Sequence, residues 1–516
     1  MPDPDDPARR SFVLRSAAAA LAAAGGAAAG GAAGAAPRTM GPLNALSASD
    51  AVAHMVRGDF SAENYARELI GRCAARRDLN AFITFEPEAV LQDARSRDLE
   101  RRAGATPGPL FGLPIPVKDS VNTQNYPTTG GTPALRHFRP AEDAPVVAAL
   151  RTAGAIVLGK TNLHELSYGW TSNNHAFGAV LNPYDLRRIP GGSSGGTAAA
   201  IAARLAPLGV AEDTEGSIRV PAAYCGIAGF RPTTRRYPTR GCVPITSLFD
   251  QVGPLARSVT DLALFDSVVA HDASPLETRA RGSLRGVRLG IVRDYFFAGL
   301  DPEVERLTDL ALARLHNAGA ILVEGELPNL ARLIDLTTYP IQNHDVGPAL
   351  AGYLRDYGVG VSLEELVSQA SADIRDVFRS DVLPGGANIV SDATYAAARD
   401  RYLPELRRTY QDYFSRSGVA AIVFPATLTP PPLIGDESIV KIRGRDVPFD
   451  VAVARNIAPG STAGLPGLVL PVGLSAEGLP VAFEFDAAAG ADRALLALGV
   501  ALERALGPIP APPEHT

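Results

Sequence analysis

Hydrophobic positions in this chain switch repeatedly between two spacings. Behind Asp301-Pro302, the residues Val304, Leu307, Ala311 and Leu315 recur every three or four positions, which predicts a helix with one buried face that Gly319 ends. Ile321-Leu322-Val323 follows as a short continuous apolar run and predicts a buried strand. The same unit occurs earlier. Asp143 and Pro145 open a helix through Ala153, Gly154 closes it, and Ala155-Ile156-Val157-Leu158 reads as a strand. Further on, Val419–Phe424 predicts a buried strand ending at Pro425, 468–472 and 480–485 a strand pair, and 491–506 a final helix. Alternation of this kind predicts an α/β layer fold with helices on both sides of a sheet.

From about 327 to 408 the pattern is helical without clear strands. That region suits a cap shaping a substrate pocket, and equally a plain helical insertion. No internal repeat or long linker interrupts residues 37–516, so they are expected to form a single domain.

The first 36 residues read differently. Arg9-Arg10-Ser11-Phe12-Val13-Leu14 matches a twin-arginine export signal, followed by an Ala/Gly-rich run with cleavage-like sites such as Ala33-Gly34-Ala35. Alanine and glycine insert weakly into bilayers, so a removed leader is expected rather than a stable membrane anchor, and the mature protein would be periplasmic or extracellular. Cys73, Cys225 and Cys242 are an odd number and are expected as three small buried thiols. Export alone does not make Cys225 and Cys242 a bridge.

Composition narrows the function classes. Hydrophobic residues make up 46% of the chain and charged ones 20%, as in a soluble protein with a substantial core. The net charge of −6, with no basic stripe, argues against a nucleic-acid partner. No Cys-x-x-Cys or His-Glu-x-x-His spacing occurs, so no metal site is expected. Of 49 basic residues only Lys118, Lys160 and Lys441 are lysines. Arginine holds its proton, whereas a buried lysine can become a neutral base, which draws attention to those three positions.

The chemistry concentrates in Gly191-Gly192-Ser193-Ser194-Gly195-Gly196. A phosphate-cradling loop is one reading, with a helix predicted at 197–204, but the Gly-Lys-[Ser/Thr] of the Walker pattern is absent. A nucleophile elbow is a second, since Gly-x-Ser-x-Gly fits at Ser193 and at Ser194. It requires a downstream histidine among His271, His316, His344 and His515, none in a telling context. The third reading joins three segments. Ser217 opens a short predicted helix, 217–225, so the backbone N–H groups of Thr214, Glu215, Gly216 and Ser217 can converge on an oxyanion. Lys118, ending the apolar run Phe111–Val117, would be the base, and Ser193 a relay between them.

On these segments the chain resembles the amidase signature family, whose Ser–cis-Ser–Lys triad lies on a Gly-Gly-Ser-Ser-Gly-Gly loop and a Gly-Ser-Ile-Arg segment. The intervals from Lys118 to Ser193 (75) and from Ser193 to Ser217 (24) suit the family, and the likeness is densest from Gly112 to Asp266. The resemblance implies a mixed central sheet covered by helices, Ser217 as nucleophile, Ser193 as relay after a cis peptide, and Lys118 as base. It implies no metal or organic cofactor. Asp213 and Arg219 are expected to pair and hold the nucleophile loop. Ser194 would bond to Lys118 or satisfy the loop backbone. Asp119 would orient its loop, and Lys160 is expected to be structural. Trp170 is a candidate for the pocket wall. Glu215 stands where many members of the family carry glycine. If its carboxylate faces the cleft, it would repel acidic substrates.

Gly229-Phe230-Arg231-Pro232-Thr233-Thr234 with Arg236-Tyr237-Pro238, and Gly464-Leu465-Pro466-Gly467-Leu468, resemble the mandelamide and indoleacetamide hydrolase branch. That likeness implies hydrolysis of a small aryl-substituted primary amide to the carboxylic acid and ammonia; the assembly is expected to be a monomer or homodimer. Export leaves room for a peptide amidase or a broad acylamidase or esterase. It also sets the tRNA-linked amidotransferase subunit, which shares the motifs, at a distance. A non-catalytic binding protein and a His-dependent serine hydrolase are the readings from other classes.

Overall fold

The computed structural model describes residues 41–272, 274, 276 and 283–514. The twin-arginine segment and His515 lie outside the described residues. Eleven strands form one sheet: β1 (Phe82–Thr84), β2 (Pro114–Lys118), β3 (Ile156–Thr161), β4 (Leu208–Asp213), β5 (Ala228–Arg231), β6 (Gln251–Ala256), β7 (Arg288–Ile291), β8 (Ile321–Glu324), β9 (Ala421–Pro425), β10 (Gly467–Leu474) and β11 (Pro480–Asp486). Their spatial order is β1-β3-β2-β4-β6-β5-β10-β11-β9-β7-β8. β2 runs parallel to β3 and β4, and β7 parallel to β8 and β9; the other neighbours are antiparallel. The sheet is therefore mixed, as the resemblance implied.

The central strands β2, β3, β4, β6, β9 and β11 are buried along their whole length. Covered on both faces, they need apolar side chains at successive positions, which is why they read as continuous runs rather than alternations. The helix expected behind Asp301 spans Pro302–Asn317, with the Asp301 carboxylate accepting from the Glu303 N–H and with Val304, Leu307, Ala311 and Leu315 buried. The other predicted unit also forms, with one difference. Helix Pro145–Thr152 is preceded by Ala144, which makes no side-chain cap. Asp143 instead accepts from the Gln124 N–H at 2.7 Å and pairs with Arg151 at 3.1 Å.

Between β8 and β9 the chain forms helices only, at Leu330–Asp335, Thr338–Asp356, Leu363–Gln369, Ala372–Asp381, Asp392–Ala397 and Leu403–Ser417. Their apolar faces do not form a separate unit. Val346, Leu350, Leu366 and Phe378 pack with Leu166, Val243 and Ile245 from loops at the sheet's edge. Removing these side chains from water, at about 1.5–3 kcal/mol each, holds the helical region down on those loops. All three cysteines are free and buried. No helix among the described residues is long and apolar enough to cross a membrane.

Candidate active site

Three segments reach one edge of the sheet. β2 ends at Lys118, and its parallel neighbour β4 ends at Asp213, so both strands deliver their carboxyl ends side by side. The chain after β4 turns through Thr214-Glu215-Gly216-Ser217 into a helix that begins at Arg219, two residues later than expected. The serine-rich loop runs into helix Gly195–Ala202, packed beneath β2 and β4. Brought together this way, the wholly buried Lys118 Nζ lies 2.6 Å from Ser193 Oγ and 3.2 Å from Glu212 Oε1. Burial pulls the Lys118 pKa below its ordinary value, against the opposing carboxylates of Glu212 and Asp213.

The Gly192–Ser193 peptide is cis. Glycine is required before it: a Cβ on Gly192 would lie 2.6 Å from the Trp170 carbonyl carbon and 2.7 Å from the Thr171 nitrogen. The Ser193 carbonyl accepts from the His164 N–H at 3.1 Å and from Ser172 Oγ at 3.2 Å. Ser194 satisfies backbone rather than Lys118. Its hydroxyl donates to the Glu212 carbonyl at 3.0 Å, and its N–H to the Ser217 carbonyl at 3.2 Å, which ties the serine loop to the Ser217 turn.

Asp213 organises that turn. Its carboxylate accepts from the N–H groups of Gly216 at 2.8 Å and Ile218 at 2.9 Å, and from Arg219 Nε and Nη2, each at 3.1 Å. Burial alone would raise its pKa, but Arg219, Arg231 and the backbone donors outweigh that and hold it at about 2. Arg219 also bonds the Ile457 carbonyl at 3.0 Å, Glu484 and Ser461, so the expected pairing is one part of a larger buried network.

This arrangement corrects the expected oxyanion donors. The Gly216 N–H is committed to Asp213, because the left-handed backbone there (φ +118°) turns it back onto the carboxylate. The N–H groups of Thr214, Glu215 and Ser217 have no acceptor among the described residues.

Ser217 opens onto a cavity of about 310 Å³. Trp170 lines it, and its indole N–H donates to the Glu215 carbonyl at 3.2 Å. Tyr168, Tyr339 and Asp450 line it as well, with Glu215. Tyr339, Gln342, Asn343, Val377 and Asp381 come from the helical region, which therefore acts as a cap on the cavity. Two larger cavities, about 520 and 570 Å³, touch none of Lys118, Ser193 and Ser217.

The remaining candidates fall outside the reacting centre. Lys160 forms a buried ion pair with Asp119 at 3.0 Å, and Asp119 accepts from the Thr129 N–H at 3.0 Å. Among the described residues, no histidine ring bonds Ser193, Ser194 or Ser217. His271 and His316 are exposed, and His344 stacks on Tyr395. Sequence reasoning missed Glu212, Asp450 and Tyr339. Glu212 carried a signal, a carboxylate inside an otherwise apolar run, whereas the other two lie far along the chain without one.

The comparisons agree with this geometry. The family model described as Amidase matches residues 65–496. The chain is 37% identical over 451 residues to an indoleacetamide hydrolase of Agrobacterium vitis, covering 87% of this chain and 95% of that protein. It is 38% identical over 458 residues to a mandelamide hydrolase of Pseudomonas putida, covering 86% and 88%. A crystal structure of an amidase superposes with a TM-score of 0.80 at 29% identity, covering 90% of this chain and all of that one. With the fold, the motif spacing and near-full-length similarity in agreement, the chain belongs to the amidase family, hydrolases of the carbon–nitrogen bond of amides.

Proposed function

We propose that this protein hydrolyses small aryl-substituted primary amides to the carboxylic acid and ammonia through an acyl-enzyme on Ser217. The observation that carries the reading is the buried contact of 2.6 Å between Lys118 Nζ and Ser193 Oγ, on a loop whose Ser194 N–H donates to the carbonyl of Ser217, the serine that opens onto a cavity. Neutral Lys118 accepts the Ser193 proton while Ser193 accepts that of Ser217, and Ser217 Oγ attacks the amide carbon. The tetrahedral oxygen is held by the unspent N–H groups of Thr214, Glu215 and Ser217. The relay returns a proton to the departing ammonia, and water cleaves the ester by the same path. The Tyr168, Trp170 and Tyr339 rings supply an aromatic wall for an aryl group, in keeping with relatives named for indoleacetamide and mandelamide.

Ammonia release from phenylacetamide, indoleacetamide and mandelamide tests this directly. Turnover of an aryl amide, abolished in Ser217→Ala, is expected; turnover that survives the substitution would overturn the assignment. We also propose export by the twin-arginine route, supported by Arg9-Arg10 and the Ala/Gly run behind them. Replacing both arginines by lysine should leave the protein in the cytoplasmic fraction, and unchanged fractionation would contradict export.

A further inference from the structure

The cavity beside Ser217 is acidic and has no counter-charge. Glu215, Asp381 and Asp450 line it, and no lysine, arginine or histidine does so among the described residues. Two of the three carboxyl groups have partners. Asp381 accepts from Asn388 at 3.0 Å and from Ser380, and Asp450 meets the Tyr339 hydroxyl at 3.5 Å. Glu215 differs: it is 6% exposed, and its Oε2 is buried without a hydrogen-bond partner among the described residues. A buried, unsatisfied carboxyl is costly, so a group that satisfies it on binding recovers that cost.

No group of three or more histidine, cysteine, aspartate or glutamate side chains is close enough to hold a metal ion among the described residues. The rest of the lining fits an organic cation, since Tyr168, Trp170 and Tyr339 offer ring faces alongside the carboxyl groups.

We propose that the preferred amides carry a protonated amine on their acyl part, received by Glu215 and Asp450 against the aromatic wall. The inference rests on the amide hydrolysis proposed above and names its substrate class. An empty cavity stores the demand as a proton. Burial, with Asp213 and Asp450 nearby and Arg219 opposing, raises the Glu215 pKa to about 8, and the hydroxyls of Tyr168, Tyr295 and Tyr339 are the other titratable groups facing it. Entry of an ammonium releases that proton to solvent and leaves a charge pair, with no other bond made or broken.

The test is a matched pair at pH 7: 4-(aminomethyl)phenylacetamide, whose amine is protonated, and 4-ethylphenylacetamide, its neutral isostere. We expect kcat/KM about tenfold or more in favour of the amine, the effect of one charge-assisted hydrogen bond. In Glu215→Gln the ratio should fall to about twofold, with Asp450→Asn between the two. Equal rates in the wild type, or an undiminished ratio in both variants, overturns the inference while leaving the hydrolysis intact. If neither amide is cleaved, the proposed function fails instead. Calorimetric binding of the two compounds to Ser217→Ala protein then still decides: about tenfold tighter binding of the amine supports the inference, and equal binding refutes it.

Discussion

Two lysines lie on neighbouring strands of this sheet and do different things. In the β2–β3 register Val117 faces Lys160 and Lys118 faces Thr161, so the two ammonium-bearing side chains leave the sheet on opposite faces. Both are completely buried, and burial lowers the pKa of each. Lys160 meets the buried Asp119 carboxylate at 3.0 Å, Thr128 at 2.9 Å and the Pro127 carbonyl at 3.1 Å, a closed set with nothing to react. Lys118 meets a serine hydroxyl at 2.6 Å, and that serine belongs to a loop hydrogen-bonded to the Ser217 turn at the cavity wall. Burial makes a lysine able to lose its proton; only a hydroxyl in front of it gives that ability a use.

The largest expected effects separate the two positions by activity. Ser217→Ala should lower amide turnover about a thousandfold or more, and Lys118→Arg about a hundredfold or more, because arginine keeps its proton. Initial-rate ammonia assays on folded protein check both. Near-normal turnover in Lys118→Arg would erase the distinction from Lys160.

The pH profile sharpens the same contrast. In the proposed mechanism only neutral Lys118 serves as base, and its pKa is lowered, so kcat/KM should rise with pH through that lowered value and fall about tenfold per unit on its acid side. Lys160→Met should keep the profile. A profile that moves with Lys160 instead would assign the titration to the wrong lysine.

Stability should show the reverse ranking. Lys160→Met leaves Asp119 buried without its cation and should cost about 3–5 kcal/mol in urea unfolding, with kcat of the folded enzyme within about twofold of wild type. The smallest effect is a control far from either lysine. Ser47 accepts from the Asp50 N–H at 3.0 Å at the start of helix Ala48–Arg57, so Ser47→Ala should cost about 1 kcal/mol and leave kcat alone.

What the sequence disclosed depends on how local the cause is. The helix at Pro302–Asn317 was legible because its cap, apolar stripe and terminal glycine lie within one segment. Lys118, Ser193 and Ser217 were legible as chemistry, since a rare lysine and glycine-flanked serines mark themselves. The strand order was not, because β10 pairs with β5 far back along the chain, Gly467 with Arg231 and Val469 with Gly229, and no local pattern encodes a partner that distant. Gly216 shows the same limit on a smaller scale. Its N–H looked available from the turn alone, and only Arg219 and Arg231, fixing Asp213 in place, decide that it is spent. Glu212 was passed over because a carboxylate in a buried strand contradicts the strand's apolar logic unless a lysine stands opposite, as Lys118 does.

In the proposed mechanism Lys118, and not the equally buried Lys160, activates Ser217. The rate of fluorophosphonate labelling, with the adduct located by peptide mass spectrometry, tests it most directly. The adduct should form on Ser217, about a hundredfold more slowly in Lys118→Ala and at the wild-type rate in folded Lys160→Ala. An adduct on Ser193 or Ser194, or wild-type labelling in Lys118→Ala, would contradict it.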